Sequence, residues 1–315
     1  MVENFRKIII YFRKWDAYWR LNPQYEMTVI DPGILGRYPL DFKPRIMEGH
    51  YPHFDDFGVP MWHNQSGGYL YHYTTMFSYA LGHSDFYLTT GKEVHLDKLK
   101  AVADYIVKTA VKLDGNTLLR ETMKDGRHSG NLSAMTHGEA ISVLCRTSMY
   151  TGIKEYLELA LKLINPFERK IEDNGVIGRI SSIQTEWYEE YVEPPLNHVL
   201  NGMVYSLWGL RDLFLLSDDK SARERFDSGI MFVENALPLF DSGYWSYYWI
   251  PENGKNYTAS MMYHNLHICQ LKALNQQTGK EVFGYYSDKF LTYAKDPVCR
   301  MKAAKDMLLA KAKYS

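Results

Sequence analysis

Residues 203–237 read MVYSLWGLRDLFLLSDDKSARERFDSGIMFVENAL. Met203, Leu207, Leu210, Leu213 and Phe214 recur there at helical spacing, and Phe226 to Leu237 forms a second stripe beyond a short polar link. Two helices joined so closely lie side by side and antiparallel. The pattern extends in both directions. Upstream, Leu96, Leu99, Val102 and Ile106 share a face, with Lys98, Lys100 and Lys108 falling largely between them. Ala140, Val143, Leu144 and Thr147 make another face that ends near Gly152, and Tyr156, Leu159, Ala160 and Leu163 a third, stopped by Asn165-Pro166. Downstream lie Met261–Leu274 and Val282–Ala294, and Asp296-Pro297 then sets off a final helix rich in Lys and Ala. About eight helices in hairpins predict a mainly α chain, an α/α toroid with its loops gathered at one end.

Outside the helices, residues 21–66 are aperiodic and rich in breakers, among them Asn22-Pro23, Asp31-Pro32-Gly33, Pro39, Pro44, Gly58 and Pro60. They predict an extended arm with short strands at most, lining one side of a cleft. Val176–Ile183 predicts a hairpin turning at Gly178, and Gly243–Ile250 an aromatic extended run before Pro251. The chain therefore divides into an N-terminal helix and irregular arm, 1–66, and a toroid domain, 67–315. Near the start, the apolar run Ile8 to Phe12 is flanked by Arg6, Lys7, Arg13 and Lys14. It is too short to span a bilayer, and no small-residue cleavage site follows, so no signal peptide is expected. An amphipathic helix over Phe5–Trp19 would pack on the body or rest on a membrane surface. A cytoplasmic or peripherally membrane-associated protein is the expectation.

The 315 residues carry 36 basic and 37 acidic side chains, a formal net charge of -1, which gives no sign of a nucleic-acid partner. Cys145, Cys269 and Cys299 sit at no ligand spacing and suit buried free thiols rather than disulfides or zinc. The unusual figure is aromatic, with 25 Tyr and 7 Trp. Tyrosine offers an apolar ring and a polar tip, which suits both helix packing and the faces and hydroxyl edges of sugars.

Four clusters carry the candidate chemistry. Trp187-Tyr188-Glu189-Glu190-Tyr191, followed by Glu193-Pro194-Pro195 and Leu200-Asn201-Gly202, is the densest. Adjacent glutamates on extended chain point in opposite directions, so at most one of Glu189 and Glu190 faces a given pocket, and a merely solvated acidic loop is the plain alternative. Asp241 to Trp249 places five aromatics in the six positions 244–249, either as a cleft wall or as an aromatic plug between helices. On extended chain Tyr244, Ser246 and Tyr248 face one way, and Trp245, Tyr247 and Trp249 the other. Met262-Tyr263-His264-Asn265-Leu266-His267 opens a helix; it lacks a third acidic ligand, so hydrogen bonding is expected rather than a metal. Gly67-Gly68-Tyr69-Leu70-Tyr71-His72-Tyr73 opens the first toroid helix. No phosphate loop, dinucleotide fingerprint, nucleophile elbow or calcium loop is present, so neither cofactor nor metal is expected.

These stretches, in this order, resemble the D-glucuronyl C5-epimerase family. The likeness rests on Gly58-Val59-Pro60, Gly68-Tyr69-Leu70-Tyr71 and Tyr79-Ala80-Leu81-Gly82-His83. It continues through Ser133-Ala134-Met135-Thr136-His137-Gly138-Glu139-Ala140-Ile141-Ser142, Trp187 to Tyr191 and Val199 to Leu207. Leu237 to Gly243 and Tyr263 to Leu271 complete it, so that it covers about residues 55–275. The resemblance implies an incomplete α/α toroid, an epimerase that turns glucuronate into iduronate within an acidic glycan, and a catalytic Glu190-Tyr191 pair with Tyr248 and Tyr263. Two departures stand out. Animal members carry a β-sandwich insertion where this chain has only residues 84–132, and an arginine shortly after the tyrosine matched by Tyr248, where this chain reads Ile250-Pro251-Glu252.

Epimerisation at C5 removes a proton α to a carboxylate and returns one from the other face, so it needs groups on both sides of the ring and donors for the developing charge. Tyrosine, with an ordinary pKa of about 10, is a good donor near neutrality and a poor base unless tuned. The expected assignment puts Glu190 with Tyr191 on one face, Tyr263 on the other and Tyr248 on the carboxylate or glycosidic oxygen. Tyr69, Tyr71, Trp187, Asn201 and His264 are expected to hold the sugar. The partner is a uronic-acid-containing glycan, and a homodimer is compatible with the sequence. A uronate lyase shares the first step, a glycoside hydrolase would need two facing carboxylates, and a non-catalytic glycan-binding module would need only the aromatic cleft.

Overall fold

In each helical hairpin one partner is buried on every side and the other on a single stripe. A computed structural model describes residues 35–64, 68–113, 116–119, 122–123 and 132–314, and among these the core consists of four hairpins. Their first members are α2 (Tyr73–Thr90), α4 (Ala134–Thr151), α6 (Leu200–Ser217) and α8 (Met261–Thr278). In α2 every residue from Met76 to Asp85 is buried, and in α6 every residue from Leu200 to Leu210. The second members are α3 (Glu93–Thr109), α5 (Lys154–Lys162), α7 (Lys220–Ala236) and α9 (Glu281–Lys295). They bury stripes such as Leu99, Val102, Ala103, Ile106 and Phe283, Ser287, Phe290, Ala294, at the spacing of a one-sided amphipathic helix. An inner arc of fully buried helices inside an outer arc of amphipathic ones is the architecture of an incomplete α/α toroid. A five-residue helix, α1 (Lys43–Met47), precedes the arc, and α10 (Pro297–Tyr314) follows it. The expected Phe5–Trp19 helix lies outside the described residues.

The hairpins reverse tightly because α2, α4 and α8 end on left-handed Gly91, Gly152 and Gly279, and α6 on left-handed Asp218. All four inner helices therefore run the same way. Short strands lead into their N-terminal ends. β1 (Trp62–Asn64) pairs with β2 (Gly68–Tyr71) just before α2, and β2 also pairs with β5 (Thr122–Met123). A two-stranded ladder joins β3 (Val111–Leu113) to β4 (Asn116–Leu118). β6 (Ile177–Ile180) pairs with β7 (Thr185–Tyr188), and β8 (Asn197–Val199), β9 (Tyr247–Pro251) and β10 (Tyr257–Thr258) form a sheet whose middle strand is β9. β8 leads directly into α6, and β10 runs up to α8. Two local expectations change. Gly178 is paired with Trp187 inside the ladder, and the hairpin turns instead over residues 181–184, where Gln184 takes φ 54°. Gly68 to Tyr71 is a strand, so the helix it precedes begins at Tyr73.

The described part of the arm enters the core. Leu35, Tyr38, Leu40 and Phe42 are buried inside the arc. The Tyr38 ring meets Phe42 (5.8 Å) and Trp208 of α6 (5.4 Å), while its backbone N–H donates to Asp85 Oδ1 of α2 (3.1 Å). Arg146 of α4 pairs with Asp212 of α6 through both nitrogens of its fork, and its Nη2 also donates to the carbonyl of Gly36 (3.5 Å). A buried pair with a third partner on the arm closes the end of the arc away from the strands.

Above that pair, α4 and α6 touch backbone to backbone. A Cβ on Gly209 would stand 2.1 Å from the carbonyl oxygen of Gly138, and one on Gly138 would stand 2.5 Å from Cα of Ser206. Neither helix can yield without moving its whole hairpin. Gly209→Ala is expected to cost about 3 kcal/mol or more, beyond the usual range for surface helix glycines. Urea unfolding should show this as a large fall in midpoint; a fall of under about 1 kcal/mol would mean that the contact is not tight.

Candidate active site

The site lies where the strands meet the N-termini of the inner helices. β7 delivers Tyr188, after which Glu189 and Glu190 diverge as adjacent residues on extended chain do. Glu189 turns back beneath the β6–β7 ladder: its Oε1 meets Nδ1 of His198 (2.6 Å), and it occupies the space that a Cβ on Gly178 would take. Glu190 goes the other way, onto α6, where its Oε2 lies 2.5 Å from the Cβ position of Gly202. Both glutamates are thus seated on glycines. The backbone ties the segment down, with Glu189 N–H donating to the Val176 carbonyl (2.8 Å) and the Glu189 carbonyl accepting from Ala134 N–H at the start of α4 (2.9 Å).

Three tyrosines gather over Glu190. The Tyr191 hydroxyl donates to the Glu190 carboxylate, and the Tyr248 hydroxyl is hydrogen-bonded to those of Tyr191 and Tyr263. The rings of Tyr248, on β9, and Tyr263, in the first turn of α8, lie 4.4 Å apart. Tyr263 is set by its helix cap, since its N–H donates to Ser260 Oγ (3.3 Å). Glu190 is 9% exposed and Tyr248 8%, whereas Tyr191 is 50% exposed and carries the cluster out to solvent. Asn201, one residue before the glycine under Glu190, is buried with its Oδ1 unpartnered.

The electrostatics follow from burial. Desolvation pushes Glu190 up to about 7 against the hydrogen bond from Tyr191, with Glu189 adding to the rise. Tyr191 and Tyr248 are pushed well above the ordinary tyrosine value, first by desolvation and then by the charge of Glu190. Near neutral pH the cluster therefore combines a carboxyl poised to gain or lose a proton with phenols that hold theirs. A second buried acid joins it. Glu139 of α4 is 1% exposed, neither of its oxygens has a hydrogen-bond partner, and desolvation together with the field of Glu190 raises it to about 8, opposed by Arg45 of α1.

Four of the expected site residues, Glu190, Tyr191, Tyr248 and Tyr263, thus share one cluster, with Asn201 beside it. Tyr69 and Tyr71 take their contacts on the β1–β2 side. Tyr69 packs between His53 and His63 (5.0 Å each), and the Tyr71 hydroxyl donates to Asp55 Oδ2 (2.9 Å), where desolvation and Asp55 push it to about 12. Trp187 and His264 are corrected from sugar contacts to core. Trp187 is fully buried against Phe240 (5.5 Å), because it alternates with residues that face the other side of β7. His264 is stacked on Trp245 (3.7 Å); its Nε2–H donates to the Phe290 carbonyl, and its Nδ1 accepts from Ser246 N–H. Glu139 stood inside a quoted motif without being singled out. Its signal was that it is the one acidic residue of a helix buried along most of its length. Among the described residues, no group of three or more His, Cys, Asp or Glu side chains is placed to hold a metal, and no helix is long and apolar enough to cross a membrane.

Comparison with known proteins bears on this geometry. The family model described as the D-glucuronyl C5-epimerase C-terminus matches residues 111–292, which hold Glu139, Glu190 and all three tyrosines. A Caenorhabditis elegans D-glucuronyl C5-epimerase is 30% identical over 230 residues, covering 66% of this chain but 36% of that protein, so the chain spans little more than a third of its length. An uncharacterized protein of Methanocaldococcus jannaschii is 28% identical over 167 residues, 51% of this chain and 53% of its own. Among solved structures, a cellobiose 2-epimerase from Bacillus thermoamylovorans superposes with a TM-score of 0.58 at 13% identity, covering 80% of this chain and 68% of that one. An α-1,6-mannanase from Salegentibacter gives 0.57 at 15%, covering 81% and 70%. At such identities these likenesses concern the fold alone.

The buried ionisable groups make stability depend on pH with a definite sign. Glu139, Glu190 and Asp85 are raised, to about 8, 7 and 7, so the folded state binds more protons than the unfolded one, and stability falls as pH climbs from the ordinary carboxylate range through those values. His83, His137, His264 and His267 are lowered to about 4 or below and act oppositely, but only below their ordinary value of 6.5. Between about pH 6.5 and pH 8 the carboxyls act alone. The thermal midpoint should fall across that window, and less steeply in Glu139→Gln; a midpoint that rises there contradicts the burial of these acids.

Proposed function

The chain belongs to the family of the D-glucuronyl C5-epimerase C-terminus, and from that premise we propose that it inverts C5 of hexuronate residues in an acidic glycan. The observation that carries the proposal is the chain of contacts from Glu190 through Tyr191 and Tyr248 to Tyr263. It joins one tunable carboxyl to phenols on three separate elements, the loop after β7, strand β9 and the first turn of α8.

In the proposed mechanism the sugar ring sits over Glu190 with its carboxylate among the tyrosine hydroxyls. Glu190, ionised, takes the C5 proton; the C–H bonding pair moves onto the carboxylate, whose added charge is met by hydrogen bonds from Tyr248 and Tyr191. Tyr263 then returns a proton from the opposite face, the pair re-forms a C–H bond, and the sugar leaves with C5 inverted. The raised pKa of Glu190 supports its role, because a general base works best when its pKa lies near the operating pH. The raised pKa values of Tyr191 and Tyr248 support theirs, because a phenol that holds its proton stays a donor. A near-balanced net charge supports a glycan rather than a nucleic acid as the partner.

Incubation with a glucuronate polymer such as heparosan in heavy water, followed by proton NMR, tests the proposal. Deuterium at C5 with new iduronate signals is the expected result. An unsaturated product absorbing in the ultraviolet would replace the epimerase with a lyase, which expels the C4 oxygen after the same first step. Tyr263→Phe should lower exchange by roughly 100-fold or more while leaving polymer binding within a few-fold. Full exchange in that variant would remove Tyr263 from the mechanism.

A further inference from the structure

The mechanism above leaves Glu139 unused, although it is a buried acid with no hydrogen bond to either oxygen. Its place in the fold is well defined. Gly138 packs on Ser206 of α6, and Glu190 packs on Gly202 of the same helix, four residues nearer its N-terminus. Four helical residues rise about 6 Å, so Glu139 lies one turn behind Glu190 along the α4–α6 seam, on the side away from the strands. Two other elements bring charged or titratable groups to it: Arg45 of α1 and Tyr38 of the arm, each coupled to Glu139 through its field. Glu190 in turn is hydrogen-bonded by Tyr191 and coupled through charge to Glu189, Tyr248 and Glu139.

Two buried carboxyls that act on one another through a dry seam, with one guanidinium acting on Glu139, lose their protons in two separate steps. We propose that Glu139 is a positioning residue, forming with Glu190 a buried carboxyl pair that carries one negative charge, so that Glu190 serves as base only while Glu139 keeps its proton. The proposal rests on the epimerase reading of the same site. It gives Glu139 a specific consequence. The first ionisation of the pair creates the base and sets the acid limb of the rate profile. The second places a further negative charge behind a substrate carboxylate that is gaining charge, and sets the alkaline limb. The order of the two steps agrees with the values of about 7 for Glu190 and about 8 for Glu139.

The test is the pH profile of C5 deuterium exchange in the wild type and in Glu139→Gln, which preserves shape while removing the second ionisation. The variant should keep the acid limb and lose the alkaline limb, so that relative to its own maximum it retains several-fold more exchange at about pH 9 than the wild type does. An alkaline limb that survives unchanged overturns the pairing, since a residue with only a packing role would leave the profile's shape alone. If the variant does not fold, carboxyl-carbon NMR of the wild type with labelled glutamate decides, the Glu189 and Glu190 signals being assigned by their loss in Glu189→Gln and Glu190→Gln: two glutamates other than Glu189, Glu190 being one of them, titrating well above the ordinary range in separate steps support the pair, and ordinary titration of either overturns it. That titration needs no turnover. Two raised steps without exchange on any uronate polymer would sink the epimerase reading while leaving the pair, whereas exchange without the second step would do the reverse.

Discussion

Two backbones, those of α4 and α6, meet at Gly138 and Gly209 with no side chain between them. Everything around the site is referenced to this seam. It fixes how far Gly202 stands from the start of α4, and hence where the Glu190 carboxyl, resting on Gly202, sits relative to that helix. Farther along, the same two helices are joined by Arg146 and Asp212, which also take hold of the arm at Gly36. A backbone contact gives a hard stop, and a buried ion pair gives direction; together they leave the inner hairpins little freedom to slide.

How much of this was legible from the residues depended on what kind of regularity each piece carries. Outer helices such as α3 and α7 repeat their apolar positions every three or four residues, so Leu99, Val102 and Ile106 announced their helix and its buried face. Inner helices are buried all round, and periodicity marks their presence but not their centrality; α6 looked like one more stripe. The joining of Glu190, Tyr191, Tyr248 and Tyr263 was expected through family likeness, and local spacing alone would not have brought residues more than fifty positions apart together. Trp187 and His264 went the other way. Both stand beside site residues in the sequence, yet β7 alternation and a helical turn rotate them into the core. The hairpin turn was misplaced because Gly178 suggested flexibility, whereas its missing side chain serves the close approach of the Glu189 carboxyl.

A cluster of this kind has a cost that the fold visibly meets elsewhere. Burying Glu139, Glu189, Glu190 and Asp85 opposes their ionisation, and each carries a raised pKa for that reason first. Glu189 is paired with His198, and it is the glutamate that faces away from the tyrosines. The acids turned toward the site keep their proton affinity high instead of being neutralised by a partner. Proton traffic, rather than fixed charge, is the property such an arrangement selects for.

The common direction of the inner helices has an electrostatic corollary. Each helix end where the strands gather carries roughly half a positive charge from its aligned peptide groups. Four such ends converge on one mouth, and α6 begins at Val199 without a side-chain cap to absorb its share. The mouth is thus attractive to anions without a single lysine in the cluster, in a chain whose formal charge is -1. A polyanionic strand drawn in by backbone amides rather than by long cationic side chains would be held by groups that cannot swing away. It would also orient with its carboxylates toward the helix ends, before any tyrosine touched the ring.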